Sequence, residues 1–85
     1  MSIKFQKTVG IGDAALLTGV SQKQLRSWEG RYFSDPDRVV CGERAYRRYT
    51  QADIELIQKI KKYRDQGYTL EAAAKFANKE VLENA

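Results

Sequence analysis

Residues 11 to 29 read Ile11-Gly12-Asp13-Ala14-Ala15-Leu16-Leu17-Thr18-Gly19-Val20-Ser21-Gln22-Lys23-Gln24-Leu25-Arg26-Ser27-Trp28-Glu29. The first half, through Thr18, is a short apolar stripe closed by Gly19, the residue type that ends helices in the left-handed conformation. Ser21 is a good N-cap for a second short helix, in which Leu25 and Trp28 stand at i, i+3 spacing. Two short helices joined by a turn of about four residues containing glycine make a helix-turn-helix, here over residues 11–30. With Leu25 and Trp28 toward the core, Gln22, Lys23, Arg26 and Ser27 fall on the exposed side. Hydrogen-bonding side chains so placed are the ones that meet base edges in such motifs.

Downstream, Gly30 interrupts the helix and Ser34-Asp35-Pro36-Asp37 reads as a turn. Arg38-Val39-Val40-Cys41 and Ala45-Tyr46-Arg47-Arg48-Tyr49 are rich in strand formers and flank Gly42-Glu43-Arg44, which predicts a hairpin within residues 36–49. A lone hairpin is marginal, so it must lean on the helices as a wing does. Alternation puts Tyr46 and Arg48 on one face and Arg47 and Tyr49 on the other. Arg38 is expected to pair with Asp35 or Asp37 beside it, and Cys41 to be a small buried strand residue.

Thr50 with Asp53 three residues on starts a helix over 51–66, with Ile54, Ile57, Ile60 and Tyr63 as its apolar stripe and Gly67 as its stop. Thr69 caps a last helix over 70–84, where Leu70, Ala73, Ala74, Ala77, Val81 and Leu82 recur at helical spacing. That alanine-rich stripe is expected to complete the chain's own core rather than a dimer surface. The fold class is therefore mainly α with a small β-hairpin wing, a winged helix-turn-helix read as one domain over 1–85.

Composition narrows the function. The 85 residues contain one cysteine and no histidine, so no disulfide framework or Cys/His zinc site is available within one chain, and the usual general base near neutral pH is missing. Asp35 and Asp37 flank Pro36 as turn formers, with no partner constellation for acid–base work. No enzymatic activity, catalytic residue, metal or cofactor is expected. No secretory signal and no long apolar run occur, so a cytoplasmic, nucleoid-associated location is expected. The net charge is +4, and residues 23–48 hold seven bases, six of them arginine, against four acids. Arginine's bidentate fork suits phosphate and guanine, which makes double-stranded DNA the leading partner.

The strings Ile11-Gly12, Thr18-Gly19-Val20-Ser21, Leu25-Arg26-Ser27-Trp28-Glu29-Gly30-Arg31-Tyr32, Pro36-Asp37-Arg38, Tyr46-Arg47-Arg48-Tyr49-Thr50, Asp53-Ile54 and Gly67-Tyr68-Thr69-Leu70-Glu71 together resemble the DNA-binding domain of the MerR family of regulators. The resemblance runs over roughly residues 8 to 79. The Trp-Glu and Arg-Tyr pairs look most like the subgroup that includes cobalamin-dependent light-responsive repressors. It implies a four-helix winged domain whose second helix enters the major groove while the wing runs along the phosphate backbone. By position it implies that Arg26 and the residues before it contact the groove, and that Tyr46, Arg47 and Tyr49 belong to the wing. Gln24, Ser27 and Gly30 depart from the family's usual residues, which bears on base preference rather than fold.

The candidate site is thus Gln22, Lys23, Gln24, Arg26, Ser27 and Arg31 around the recognition helix, and Arg44, Tyr46, Arg47, Arg48 and Tyr49 on the wing. The expected function is sequence-specific binding of double-stranded DNA by a repressor-like transcription regulator without its own effector domain, as a homodimer or cooperative oligomer on DNA. Two other readings stay open: an architectural, excisionase-type recombination factor, and a protein-interaction domain of the same fold.

Overall fold

Gly19 takes φ +76°, and its N–H closes onto the Ala15 carbonyl at 2.9 Å, ending helix α1 (Ile11–Thr18). A side chain there would need the flexible end of Lys61 to move aside, and the left-handed backbone is what favours glycine. Ser21 then caps α2 (Gln22–Trp28) in a capping box: its hydroxyl accepts from the Gln24 N–H, and the Gln24 side chain accepts from the Ser21 N–H. The computed structural model describes residues 7–83. Beyond α2 it contains β1 (Asp37–Cys41), β2 (Arg44–Arg48), α3 (Gln51–Asp65) and α4 (Leu70–Glu83).

The strands pair antiparallel, with Asp37 opposite Arg48 and Cys41 opposite Arg44. Gly42 and Glu43 form a two-residue connection in which only Gly42, at φ +63°, needs the left-handed region. Continuing from β2, Tyr49 exchanges two backbone hydrogen bonds with Val9 (2.9 and 2.8 Å), so the segment before α1 borders the root of the wing. That pairing is absent from the sequence reading, where nothing beyond the β-branched Thr8-Val9 pair marks it.

The core gathers Ala14 and Val20 from the first helix and turn, Leu25 and Trp28 from α2, Phe33 and Tyr49 from the loops, Ile54, Ile57 and Ile60 from α3, and Ala73, Ala74 and Ala77 from α4. Helices α3 and α4 pack against each other as an antiparallel pair, and the alanines let them approach closely. The alanine stripe thus serves the chain's own core, while Val81 and Leu82 beyond it stay exposed.

On α1 the buried side is Ala14 and Thr18, with Ile11 and Ala15 partly covered, whereas Leu16 is 83% exposed. Thr18 is tolerated inside because its hydroxyl donates to the Ala14 carbonyl (2.7 Å) and accepts from the Val20 N–H (3.1 Å). Among the described residues no helix is long and apolar enough to cross a membrane.

A candidate nucleic-acid interface

Helix α2 is held from beneath by Leu25 and Trp28, both buried. At about 100° per residue the outermost side chains are then Lys23, Arg26 and Ser27, all exposed, with Gln22 on one flank and Gln24 on the other. Gln22 joins the outer row, because its Oε1 accepts from Arg26 Nη2 at 3.3 Å. Gln24 does not. Its carbonyl oxygen is occupied by the capping box, and it borders a polar hollow with Trp28, Lys61 and Arg64 on the α3 side. Gln24 therefore serves as a cap on the flank of the outer row, its side chain still exposed.

Arg31 lies beyond the end of α2, in the turn that Gly30 opens. Its guanidinium sits 5.4 Å from the Tyr32 ring centroid, and the Tyr32 hydroxyl donates to Glu71 of α4 at 3.3 Å. Arg31 is exposed, and it stands in the turn after α2 rather than on the helix itself.

Cross-strand pairing sorts the wing into two faces. Arg38 and Arg47 share one face with Val40 and Ala45; Arg48, Val39, Tyr46, Cys41 and Arg44 share the other. On the first face Arg47 donates from Nε (2.9 Å) and Nη2 (2.7 Å) to the two carboxylate oxygens of Glu29, and Arg38 Nη2 reaches the same carboxylate at 3.2 Å. Arg38 thus pairs with Glu29 rather than with Asp35 or Asp37, because its strand turns it toward the end of α2. On the second face Arg48 donates to the Thr8 hydroxyl (3.0 Å) and the Thr8 carbonyl (2.7 Å).

Arg44 is exposed at the hairpin turn, and Tyr46 is 48% exposed. Cys41 is exposed as well, contrary to the expectation of a buried strand residue. The reason is that every residue of β1 is exposed, with no second layer covering this ribbon among the described residues.

Tyr49 requires the largest correction. Assigned to the DNA-gripping wing, it is 0% exposed, packed against Phe33 at a ring separation of 6.5 Å. Its hydroxyl is buried without a hydrogen-bond partner among the described residues, and burial, more than the nearby Glu29 charge, pushes its ionisation up. A side chain so enclosed anchors the wing's root.

Glu29 is the residue that sequence reasoning passed over, counted only as a charge. Its carboxyl is held below the usual range chiefly by the hydrogen bond from Arg47, against an opposing burial penalty, with the charges of Arg47, Arg38 and Arg26 adding to the effect. The matching effect raises Arg47. The available signal was its position: the one acid at the end of the basic helix, directly after the buried Trp28.

The ordering of helix-turn-helix, two-stranded wing and α3–α4 pair has a counterpart in known proteins. Residues 10–80 match the model of the MerR helix-turn-helix family of regulatory proteins. The chain belongs to the MerR family. It is 37% identical over 71 residues to the HTH-type transcriptional repressor CarH of Myxococcus xanthus, a match covering 82% of this chain and 23% of CarH. It is 36% identical over 66 residues to the HTH-type transcriptional regulator TnrA of Bacillus subtilis, covering 78% of this chain and 57% of TnrA. The chain therefore spans under a quarter of one relative and a little over half of the other.

Proposed function

We propose that this chain binds double-stranded DNA with sequence preference and serves as the DNA-reading part of a transcription regulator, repressor-like in the manner named for CarH. The observation that carries this reading is the outer row of α2, where Gln22, Lys23, Arg26 and Ser27 stand exposed on a helix whose end is tied to the wing. A seven-residue helix is about 10 Å long, which suits the major groove, and amide, hydroxyl and guanidinium groups are the ones that pair with base edges. Arg44 and Tyr46 on the wing lie where backbone phosphates are met, and they fix register without reading sequence.

One module of this size has limited contact area, so useful specificity calls for two copies on neighbouring half-sites. The test is titration of a labelled duplex across a range of salt. The reading predicts an affinity that falls linearly on a log-log plot, by about 0.9 in slope for each phosphate neutralised. Absence of binding at low salt, or binding indifferent to salt, overturns it.

A further inference from the structure

Among the described residues the two strands of the wing pack chiefly on each other. The wing's orientation therefore rests on a few ties: the buried ring of Tyr49 at its root, Arg48 on Thr8 at one face, and Arg38 with Arg47 on Glu29 at the other. Only the last belongs to the recognition helix. Glu29 itself has little freedom. It follows the buried Trp28, its N–H closes onto the Leu25 carbonyl at 3.1 Å, and its backbone bridges to Phe33, where the Gly30 N–H meets the Phe33 carbonyl at 2.8 Å. The side chain is 12% exposed, so its carboxylate is a fixed point from which two strands are held.

The arginines give up something in this arrangement. A guanidinium that spends its Nε and one Nη on a carboxylate fork offers only its remaining edge to a phosphate. Arg47 and Arg38 keep side-chain exposures of 25% and 40%, so both stand close enough to solvent to turn toward an anion if released. The Glu29 charge also interacts weakly with that of Arg26 on the outer row of α2.

We infer that Glu29 is a positioning residue that sets DNA specificity: it locks the wing to the recognition helix through Arg47 and Arg38 and withholds those two guanidiniums from indiscriminate phosphate binding. The inference rests on the DNA-binding reading proposed above. It sets Glu29 apart from a residue that merely stabilises the fold, because loss of the lock should weaken the correct site and strengthen the incorrect ones at once. A loosened wing no longer holds register on the preferred sequence, while two released arginines add sequence-independent charge pairing.

The experiment uses the 85-residue chain, the duplex it enriches from a random pool and a scrambled duplex of the same composition. Glu29→Gln keeps the shape of the side chain and removes its charge. The ratio of affinities for enriched over scrambled duplex should fall about tenfold, within the range that a single lost base-pair match covers. On the scrambled duplex the log-log salt slope should steepen by about one unit for each arginine released.

Arg47→Gln, which removes the fork from the other side, should lower the ratio as well, and Glu29→Gln added to it should lower it little further. Circular dichroism of both variants at the binding temperature sets the folded fraction by which affinities are scaled. A parallel fall on both duplexes after that scaling, or an unchanged ratio, overturns the positioning role while leaving DNA binding intact. Failure of the unaltered chain to enrich any duplex overturns DNA binding itself and the positioning role with it.

Discussion

Arg47 and Glu29, 18 residues apart in sequence, meet in a two-bond fork of 2.9 and 2.7 Å that joins the second strand of the wing to the C-cap of α2. The Arg47 hydrogen bond, then the charges of Arg47, Arg38 and Arg26, depress the Glu29 carboxyl in the folded chain below its ordinary value of 4.5, against burial. A depressed carboxyl contributes stability that is fully present above the unfolded value and is lost as pH falls through the folded one. The thermal midpoint of the wild-type chain should therefore exceed that of Glu29→Gln at pH 7, with the gap closing as pH is lowered from about 4.5 through the folded value. Midpoints that stay equally separated down to pH 3 would remove the ionised fork as the cause.

Tyr49→Phe tests the assignment of that ring to the core. Its hydroxyl is buried and has no hydrogen-bond partner among the described residues. Removing an unpaired buried polar group is close to neutral or stabilising, so the change in unfolding free energy should lie within about 1 kcal/mol of zero. Affinity for DNA should be unaltered. A several-fold loss of affinity at unchanged stability would return Tyr49 to the interface.

Arg26→Ala and Lys23→Ala separate reading from gripping. Arg26 Nη2 already lies beside Gln22 at 3.3 Å, in the middle of the outer row of α2. Its loss should cost about 1–3 kcal/mol on the enriched duplex and blur preference at one position. Lys23→Ala should weaken all duplexes alike and reduce the salt slope by about one unit. Anisotropy titrations on enriched and scrambled DNA distinguish the two patterns.

Ile57→Ala probes the core that holds the platform. Ile57 is fully buried at the middle of α3. Truncation leaves a cavity and should cost about 2–5 kcal/mol, a large fraction of the stability of a chain this short. Urea unfolding followed by circular dichroism should show a much lower midpoint. A shift below about 0.5 kcal/mol, the size of an ordinary surface substitution, would mean that the α3 stripe is not the centre of the fold.

Local signals made most of the fold legible. Ser21 and Thr50 cap their helices as expected, Thr50 with the Asp53 that its spacing foretells, Gly19 takes the left-handed turn, and Ile54, Ile57 and Ile60 face inward at their helical period. What escaped was set by contacts distant in sequence. The pairing of Val9 with Tyr49 spans 40 residues, and a tyrosine at the end of an amphipathic strand carries no local mark of whether its ring turns in or out. Arg38 has two acids within three residues yet pairs with Glu29, because strand geometry rather than proximity along the chain decides where its side chain points.

Helix α1 shows the same limit: two of its three large apolar residues, Leu16 and Leu17, are exposed, while Ala14 and Thr18 are buried. In the candidate site, the exposed row Gln22, Lys23, Arg26 and Ser27 followed from the positions of Leu25 and Trp28 alone. The position of Glu29 at the end of the basic helix was visible in the sequence, but its partners on the wing were not.

The most direct measurement of the central claim is selection of bound duplexes from a random DNA pool by the unaltered chain, at low salt and again near physiological salt. If the outer row of α2 reads bases while the wing holds the backbone, a single short motif should emerge, sharpening as salt rises and sequence-independent binding fades, with the spacing of its repeats reporting how many copies bind. A pool that remains random after repeated rounds at low salt would contradict the account.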